Sequence, residues 1–239
     1  MKTALLAWFD ETARDLPWRR TSDPYAILVS EVMLQQTQVD RVVPRYLAWL
    51  DRWPTVEALA AAPAADVIRE WQGLGYNRRA VSLHRAARKI AADGWPDDLT
   101  ELPGVGRYTA DAVSSFALGL PVLPVDTNVR RVQERTGFAF DHECGQALMD
   151  LGARICLGRI PRCGACPLAA ACPSRGRRYE PLRRQSRFEG SFRQRRAQTL
   201  RLVAESERAL NDLDREAVDS LAQDGLVEVA PCGTFVTLP

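Results

Sequence analysis

Apolar residues recur at helical spacing along most of this chain, and the breaks between runs fall at Pro, Gly and Asp/Ser clusters. Leu5, Leu6, Trp8, Phe9 and Ala13 predict a first helix over residues 3–15, closed by Leu16-Pro17-Trp18-Arg19-Arg20. Ser22-Asp23-Pro24 opens the next, residues 25–38, with Asp23 as N-cap and Pro24 in the first helical position. Its core face is Ile27, Leu28, Val32 and Leu34. Shorter patterns follow over 42–52, 56–61 and 64–72. Gly73-Leu74-Gly75-Tyr76 interrupts them before a longer helix over 78–92, and another spans 108–118. Strand alternation is absent before about residue 225, so residues 1–175 read as all-helical. The tail predicts helices over 195–210 and 214–223, then a hairpin of Leu226–Val229 and Phe235–Leu238. Two helices and a short hairpin outline a winged helix, a small α+β module behind a mainly α chain.

Length and composition change this picture little. With 239 residues the chain can bury a substantial core, as one large domain or two smaller ones. No stretch approaches the ~18 consecutive apolar residues of a membrane span. The N-terminus turns acidic at once and lacks a small-residue cleavage site, which predicts no signal peptide and a cytoplasmic protein. A net charge of +2 says little about partners, but its distribution says more. Lysine occurs only as Lys2 and Lys89, and ten arginines fall between Arg175 and Arg201 against two acids, Glu180 and Glu189. Such a block is a solvated linker or a surface for phosphate backbones.

Three stretches carry candidate chemistry. In Leu102-Pro103-Gly104-Val105-Gly106, two close glycines permit a tight turn with unobstructed N–H groups ahead of a helix N-terminus. That is a ready phosphate site, or an ordinary bend between helices. Asp126 ends the apolar Pro121-Val-Leu-Pro-Val125 run and is followed by Asn128, Arg130 and Arg131. A carboxylate in that setting is costly to bury without a task or a partner. Glu31 lies in a mostly apolar segment that runs into Gln35-Gln36-Thr37-Gln38, polar residues with no evident core role. Taken alone, a glutamate there reads as half-exposed. Four cysteines follow the spacing Cys156-x6-Cys163-x2-Cys166-x5-Cys172. A disulfide framework is not expected in a cytosolic chain, and four thiolates suit either a structural zinc or an iron–sulfur cluster. Cys144 and Cys232 lie outside the pattern and read as ordinary small residues.

The Leu102–Gly106 turn with Asp126, the Ser30–Val39 segment, Gly73-Leu-Gly-Tyr76 with Leu83-His84, and the cysteine spacing together resemble the helix-hairpin-helix DNA glycosylase superfamily. Among its members the likeness is to the endonuclease III and MutY-type adenine glycosylases, over roughly residues 4–175. The resemblance implies a two-lobed fold: a six-helix domain over 23–129, a cluster domain from 1–22 and 130–175, and a linker and small module over 176–239. It also implies a [4Fe–4S] cluster on Cys156, Cys163, Cys166 and Cys172, with Arg159 and Arg162 of the intervening loop toward DNA phosphates. Departures are Asn77, where the family usually has a second tyrosine, a stretch between Asp126 and Cys156 shorter than in relatives, with only residues 137–144 connecting, and the C-terminus.

The implied activity is hydrolysis of the N-glycosidic bond of an adenine mispaired with 8-oxoguanine or guanine, in base excision repair. Glu31 is then the acid toward the base, its pKa raised by an apolar setting, and Asp126 the anion beneath the sugar. Asn128 supports the site. Gly104 and Gly106 meet backbone phosphate, while Tyr76 and Gln36 fill and hold the stack from which the base is flipped. Arg14, Trp18, Arg19 and Leu34 line the base pocket with Gln146, whose carboxamide can pair with adenine N6 and N7. Gln146 has a plainer reading as a solvent-facing helix residue. Bifunctional relatives carry a lysine nucleophile where this chain has Tyr108, which predicts a monofunctional enzyme. A mismatch thymine or uracil glycosylase of the same superfamily is the alternative, with a non-catalytic damage-binding protein behind it. The expected partner is double-stranded DNA with a mispaired or damaged base, bound by a monomer in the bacterial nucleoid, with no membrane role. The tail is too short for the Nudix-like 8-oxoguanine reader of long MutY proteins. Weaker preference for 8-oxoguanine follows, as do phosphate contacts from the tail's arginines.

Overall fold

A computed structural model describes residues 1–180 and 187–239. Contacts divide the chain into two compact units, Met1–Leu28 with Gly106–Arg184 and Val29–Val105 with Gln185–Pro239, less residues 181–186. These limits differ from the expected 23–129 and 176–239 boundaries, because the tail packs within the unit that holds Val29–Val105. Part of the expected arginine-rich linker, residues 181–186 with Arg183 and Arg184, lies outside the described residues.

The first unit contains α1 (Lys2–Thr12), α7 (Arg107–Phe116), α8 (Thr127–Thr136) and α9 (Gly145–Arg154). Its core joins Leu5 of α1, Val129 and Val132 of α8, and Leu148 and Leu151 of α9 to Leu168 of the cysteine loop. The first helix is shorter than its apolar pattern predicts: the backbone at Ala13 is extended, and Thr12 turns its hydroxyl back onto the Trp8 carbonyl at 2.7 Å. Between α8 and α9 the short connection is one 3₁₀ turn, His142–Cys144, and Cys144 is fully buried in the core.

The second unit is built on α3 (Val39–Arg52), α4 (Val56–Ala61), α5 (Ala64–Glu70) and α6 (Arg78–Asp93). Trp49 packs edge-on against Trp53 at 4.7 Å and Trp71 at 5.5 Å at its centre. Helix α2 (Pro24–Leu34) crosses the division between the units, with Asp23 Oδ1 accepting from the Tyr25 N–H at 3.0 Å at its start. It stops four residues short of the expected Gln38. Gln36 takes a positive φ of 55°, so the polar run forms a turn, and α3 begins three residues earlier than expected.

The tail holds α10 (Phe192–Glu205), β1 (Arg208–Ala209), α11 (Arg215–Gln223), β2 (Glu228–Val229) and β3 (Phe235–Thr237), with strand order β1-β3-β2. The expected helix over 195–210 is corrected: Ser191 caps it earlier and Ser206 is extended, freeing Arg208 and Ala209 to pair with β3. A two-residue strand leaves no alternation to read. Leu200, Val203, Val218, Leu226 and Val236 close over Ile68 of α5, so the tail shares a core with the unit it belongs to. Its arginines are partly committed: Arg195 pairs with Asp214 and Glu216, both at 2.9 Å, and Arg196 with Asp224 at 2.6 Å. Among the described residues no helix is long and apolar enough to cross a membrane.

Candidate active site

In the first unit Asp126 is the N-cap of α8. Its Oδ1 accepts from the N–H groups of Asn128 (2.8 Å) and Val129 (2.7 Å), and its Oδ2 from Asn128 Nδ2 at 2.8 Å. A helix N-terminus also favours an anion through its dipole. Three donors therefore fix this carboxylate in one orientation while it stays half-buried. Asn128 is held in turn by Arg131, which donates to Asn128 Oδ1 (2.6 Å), to the Gly152 carbonyl (2.8 Å) and to the Cys156 carbonyl (2.7 Å). Gly152 permits this approach. A Cβ there would lie 2.5 Å from Asn128 Cβ and 3.1 Å from its Cα. Gly106 caps α7 with open space before it, and Tyr108 stands half-buried on the first turn of that helix.

Arg14 and Arg19 both reach Asp150 of α9, the helix that also carries Gln146. Asp150, with no exposed surface, accepts from Arg14 Nε and Arg19 Nη2, both at 2.8 Å, and from the Arg14 N–H at 3.0 Å. Burial acts to raise the Asp150 pKa, but the hydrogen bonds from Arg19 and Arg14 outweigh it and hold the carboxyl below its usual range. Gln146 precedes Asp150 by one turn, which puts both on one helix face, and it is half-buried rather than solvent-facing. Trp18 is 9% exposed on the 3₁₀ turn between Arg14 and Arg19. Sequence reading missed Asp150. Acid four residues after Gln146 is ordinary helix composition, and its partners lie over 130 residues away.

Cys156, Cys163, Cys166 and Cys172 line one cavity with Arg135, Leu151 and Leu168. Burial pushes the Cys166 thiol up, and the other three cysteines add to this. Arg135 donates to Cys156 Sγ at 3.4 Å and to the Leu157 (2.7 Å) and Gly158 (2.6 Å) carbonyls, with its guanidinium 3.7 Å from the Tyr179 ring centre. The Gly176 N–H points at Cys163 Sγ at 3.3 Å. Donors onto sulfur are what a thiolate site needs. Among the described residues no three of His, Cys, Asp and Glu meet closely enough to hold a single metal ion. Arg159 and Arg162 are exposed on the loop.

In the second unit Glu31 is 5% exposed, so the half-exposed reading is wrong: the carboxyl is buried between Ser30 and Val32. Leu34, half-buried, ends α2. Gln36 and Tyr76 are both exposed, and they are the two non-glycine residues with positive φ among those described (55° and 47°). Such a conformation costs about 1–3 kcal/mol per residue and persists only where the surroundings impose it. Gly104, with φ +79°, lies against Ser82 of α6, where a Cβ would come within 2.6 Å of the Ser82 Cβ. The expected site residues thus divide: Asp126, Asn128, Tyr108, Gly106, Arg14, Trp18, Arg19, Gln146 and the cysteine loop in one unit, and Glu31, Leu34, Gln36, Tyr76 and Gly104 in the other.

Residues 29–151 match the family model of the HhH-GPD superfamily base excision DNA repair proteins. The adenine DNA glycosylase of Mycolicibacterium smegmatis is 43% identical, the alignment covering 97% of this chain and 94% of the relative. That of Mycobacterium tuberculosis (strain H37Rv) is 42% identical, covering 98% and 92%. The human adenine DNA glycosylase is 38% identical over 73% of this chain and 39% of its own length. Among solved structures, a thermostable thymine-DNA glycosylase is 28% identical with a TM-score of 0.65, covering 72% of this chain and 93% of its own. A non-covalent endonuclease III–DNA complex, 23% identical with a TM-score of 0.62 over 71% and 90%, shares the fold.

Proposed function

The chain belongs to the HhH-GPD superfamily of base excision DNA repair proteins, and we propose that it hydrolyses the N-glycosidic bond of a mispaired adenine in double-stranded DNA. The observation that carries this reading is the likeness to adenine DNA glycosylases along nearly the whole of both chains, tail included. The thymine-DNA glycosylase structure is less similar and spans less of the chain, so thymine or uracil excision stands second.

Cleavage leaves positive charge on the sugar and negative charge on the departing base. Glu31, kept from solvent, delivers a proton to the base. Asp126 faces the developing oxocarbenium ion, oriented by Asn128 and two α8 amides, and water completes the hydrolysis. A carboxylate already fixed by three donors does not reorganise as charge develops, which supports this role. Tyr108 offers no amine for a Schiff base, and Lys2 and Lys89 are each paired with acids, Lys2 with Asp141 and Glu143 and Lys89 with Glu101. The reaction therefore stops at the abasic site. Gln146, Arg14, Trp18, Arg19 and Leu34 bind the base. Gly104, Gly106, Arg159 and Arg162 meet phosphates, and Gln36 and Tyr76 enter the stack. Arg14 and Arg19 also hold Asp150, one turn from Gln146 on the same α9 face.

The four cysteines fit a [4Fe–4S] cluster: they share one cavity, and donors reach two of the sulfurs. Cys156, Cys163, Cys166 and Cys172 would hold the cluster, which would tie together the loop that carries Arg159 and Arg162. The protein acts as a monomer on nucleoid DNA in the cytoplasm. Incubation with a duplex holding A opposite 8-oxoguanine tests the reaction type. Free adenine should appear with an intact strand until alkali is added. Strand nicking coupled to release, trapped by borohydride, would overturn the monofunctional assignment.

A further inference from the structure

Arg79, on the first turn of α6, addresses two separate turns with one guanidinium. Its Nη1 donates to the carbonyls of Val32 (2.7 Å), Met33 (3.0 Å) and Gln35 (2.6 Å), the backbone that leads into Gln36. Its Nη2 reaches the Gly75 carbonyl (2.9 Å), the Leu74 carbonyl (3.5 Å) and Thr37 Oγ1 (3.0 Å), and its Nε reaches the Tyr76 carbonyl at 3.3 Å. The Trp71 ring lies 5.2 Å and the Tyr76 ring 5.7 Å from the guanidinium carbon. Thr37 Oγ1 bridges the same turns, 3.4 Å from the Leu74 carbonyl. All of these residues belong to the second unit.

Three features make this more than a helix-end contact. The acceptors are main-chain oxygens and a hydroxyl, so the cation is spent on backbone geometry. Burial, opposed only weakly by Tyr76, pushes the guanidinium down to about 10, so it remains charged at neutral pH. The strained residues at 36 and 76 are the ones whose flanking carbonyls it holds. Only a planar fork with five N–H donors can meet this many oxygens at once; an ammonium has three.

We propose that Arg79 is a positioning residue that locks the Gln36 and Tyr76 turns into one rigid element, so that both side chains enter the DNA stack together. The proposal rests on the glycosylase reading for the encounter with DNA, but the locking itself is a property of the free protein. Two readouts keep the two apart. In free protein, Arg79→Lys should raise amide hydrogen exchange at residues 35–37 and 74–77 together, by at least tenfold, and Thr37→Val should do so more mildly. Loosening of one turn alone, or of neither, would overturn the lock.

In a Glu31→Gln background, 2-aminopurine placed beside the mispair reports unstacking without turnover. Arg79→Lys at saturating protein should leave the fluorescence low while duplex affinity falls less than about threefold. In single turnover, Arg79→Lys should slow base release about 100-fold, the scale of a 1 Å misplacement. The same change should cost less than about twofold in a protein already carrying Gln36→Ala and Tyr76→Ala. Equal cost in both backgrounds, or full fluorescence in Arg79→Lys, would overturn the proposal. Failure of the unsubstituted protein to release any base would instead count against the function, with the exchange result still deciding the lock.

Discussion

Gly152→Ala isolates the packing that holds Asn128. In an open helix this change stabilises by about 1 kcal/mol, because alanine restricts the unfolded chain and favours the helix. Here the new methyl would meet Asn128 Cβ at 2.5 Å, its Cα at 3.1 Å and its carbonyl carbon at 3.2 Å. Two of those atoms are backbone, so no rotamer change relieves the clash, and α8 and α9 must separate by about 1 Å to restore ordinary contact. Overpacking of this kind costs about 1–3 kcal/mol, which matches or outweighs the helix gain. The predicted net effect is about 1 kcal/mol of lost stability in urea unfolding. The displacement also shifts the start of α8, and with it Asp126 and Asn128 together, so single-turnover adenine release should fall about 100-fold. Gly164→Ala, where the methyl meets nothing within 4 Å, is the clash-free control and should lower neither. A Gly152→Ala protein more stable than its parent, releasing adenine at the parent rate, would refute the argument.

Asp150→Asn should lower stability by about 3 kcal/mol at neutral pH, since it leaves the guanidiniums of Arg14 and Arg19 beside a neutral buried partner. Because the folded Asp150 pKa is depressed, its contribution is present above the ordinary carboxylate value of 3.8 and is lost as pH falls below it. Urea midpoints of parent and variant should therefore converge in acid; a constant gap down to pH 3 would contradict this. Replacing exposed Arg159 and Arg162 with Gln should reduce the salt slope of duplex binding by nearly 1 per arginine, measured by anisotropy titration; Arg196→Gln, which breaks the pair with Asp224, should lower stability and leave the slope alone. Anaerobically purified protein should be yellow-brown and lose that colour in Cys163→Ala; a colourless protein with stoichiometric zinc would refute the cluster.

Much of the fold and part of the site could be read from the chain because their signals are local. Asp23 precedes its helix by one residue, and the four cysteines lie within one short loop, so both features are visible as spacing. Glu31 and Gln36 stood out as residue types misplaced for a core helix or its end. What escaped notice depends on distant partners. Asp150 is shaped by Arg14 and Arg19, and Arg79 by carbonyls that carry no side-chain identity at all. The two-residue β1 exists only through β3, and the pairing of Arg195 and Arg196 with Asp214, Glu216 and Asp224 depends on the folding of α10 against α11. At Asp126 the donors that cap α8 are the same ones on which its proposed anion role relies.

The most direct test of adenine excision is single-turnover base release from matched duplexes that differ at one base: A opposite 8-oxoguanine, A opposite G, T opposite G and U opposite G. Adenine excision requires free adenine from both A-containing duplexes and no release from the T and U duplexes, with the adenine signal abolished by Glu31→Gln and by Asp126→Asn although both variants still bind. Release of thymine or uracil with adenine left in place would contradict it.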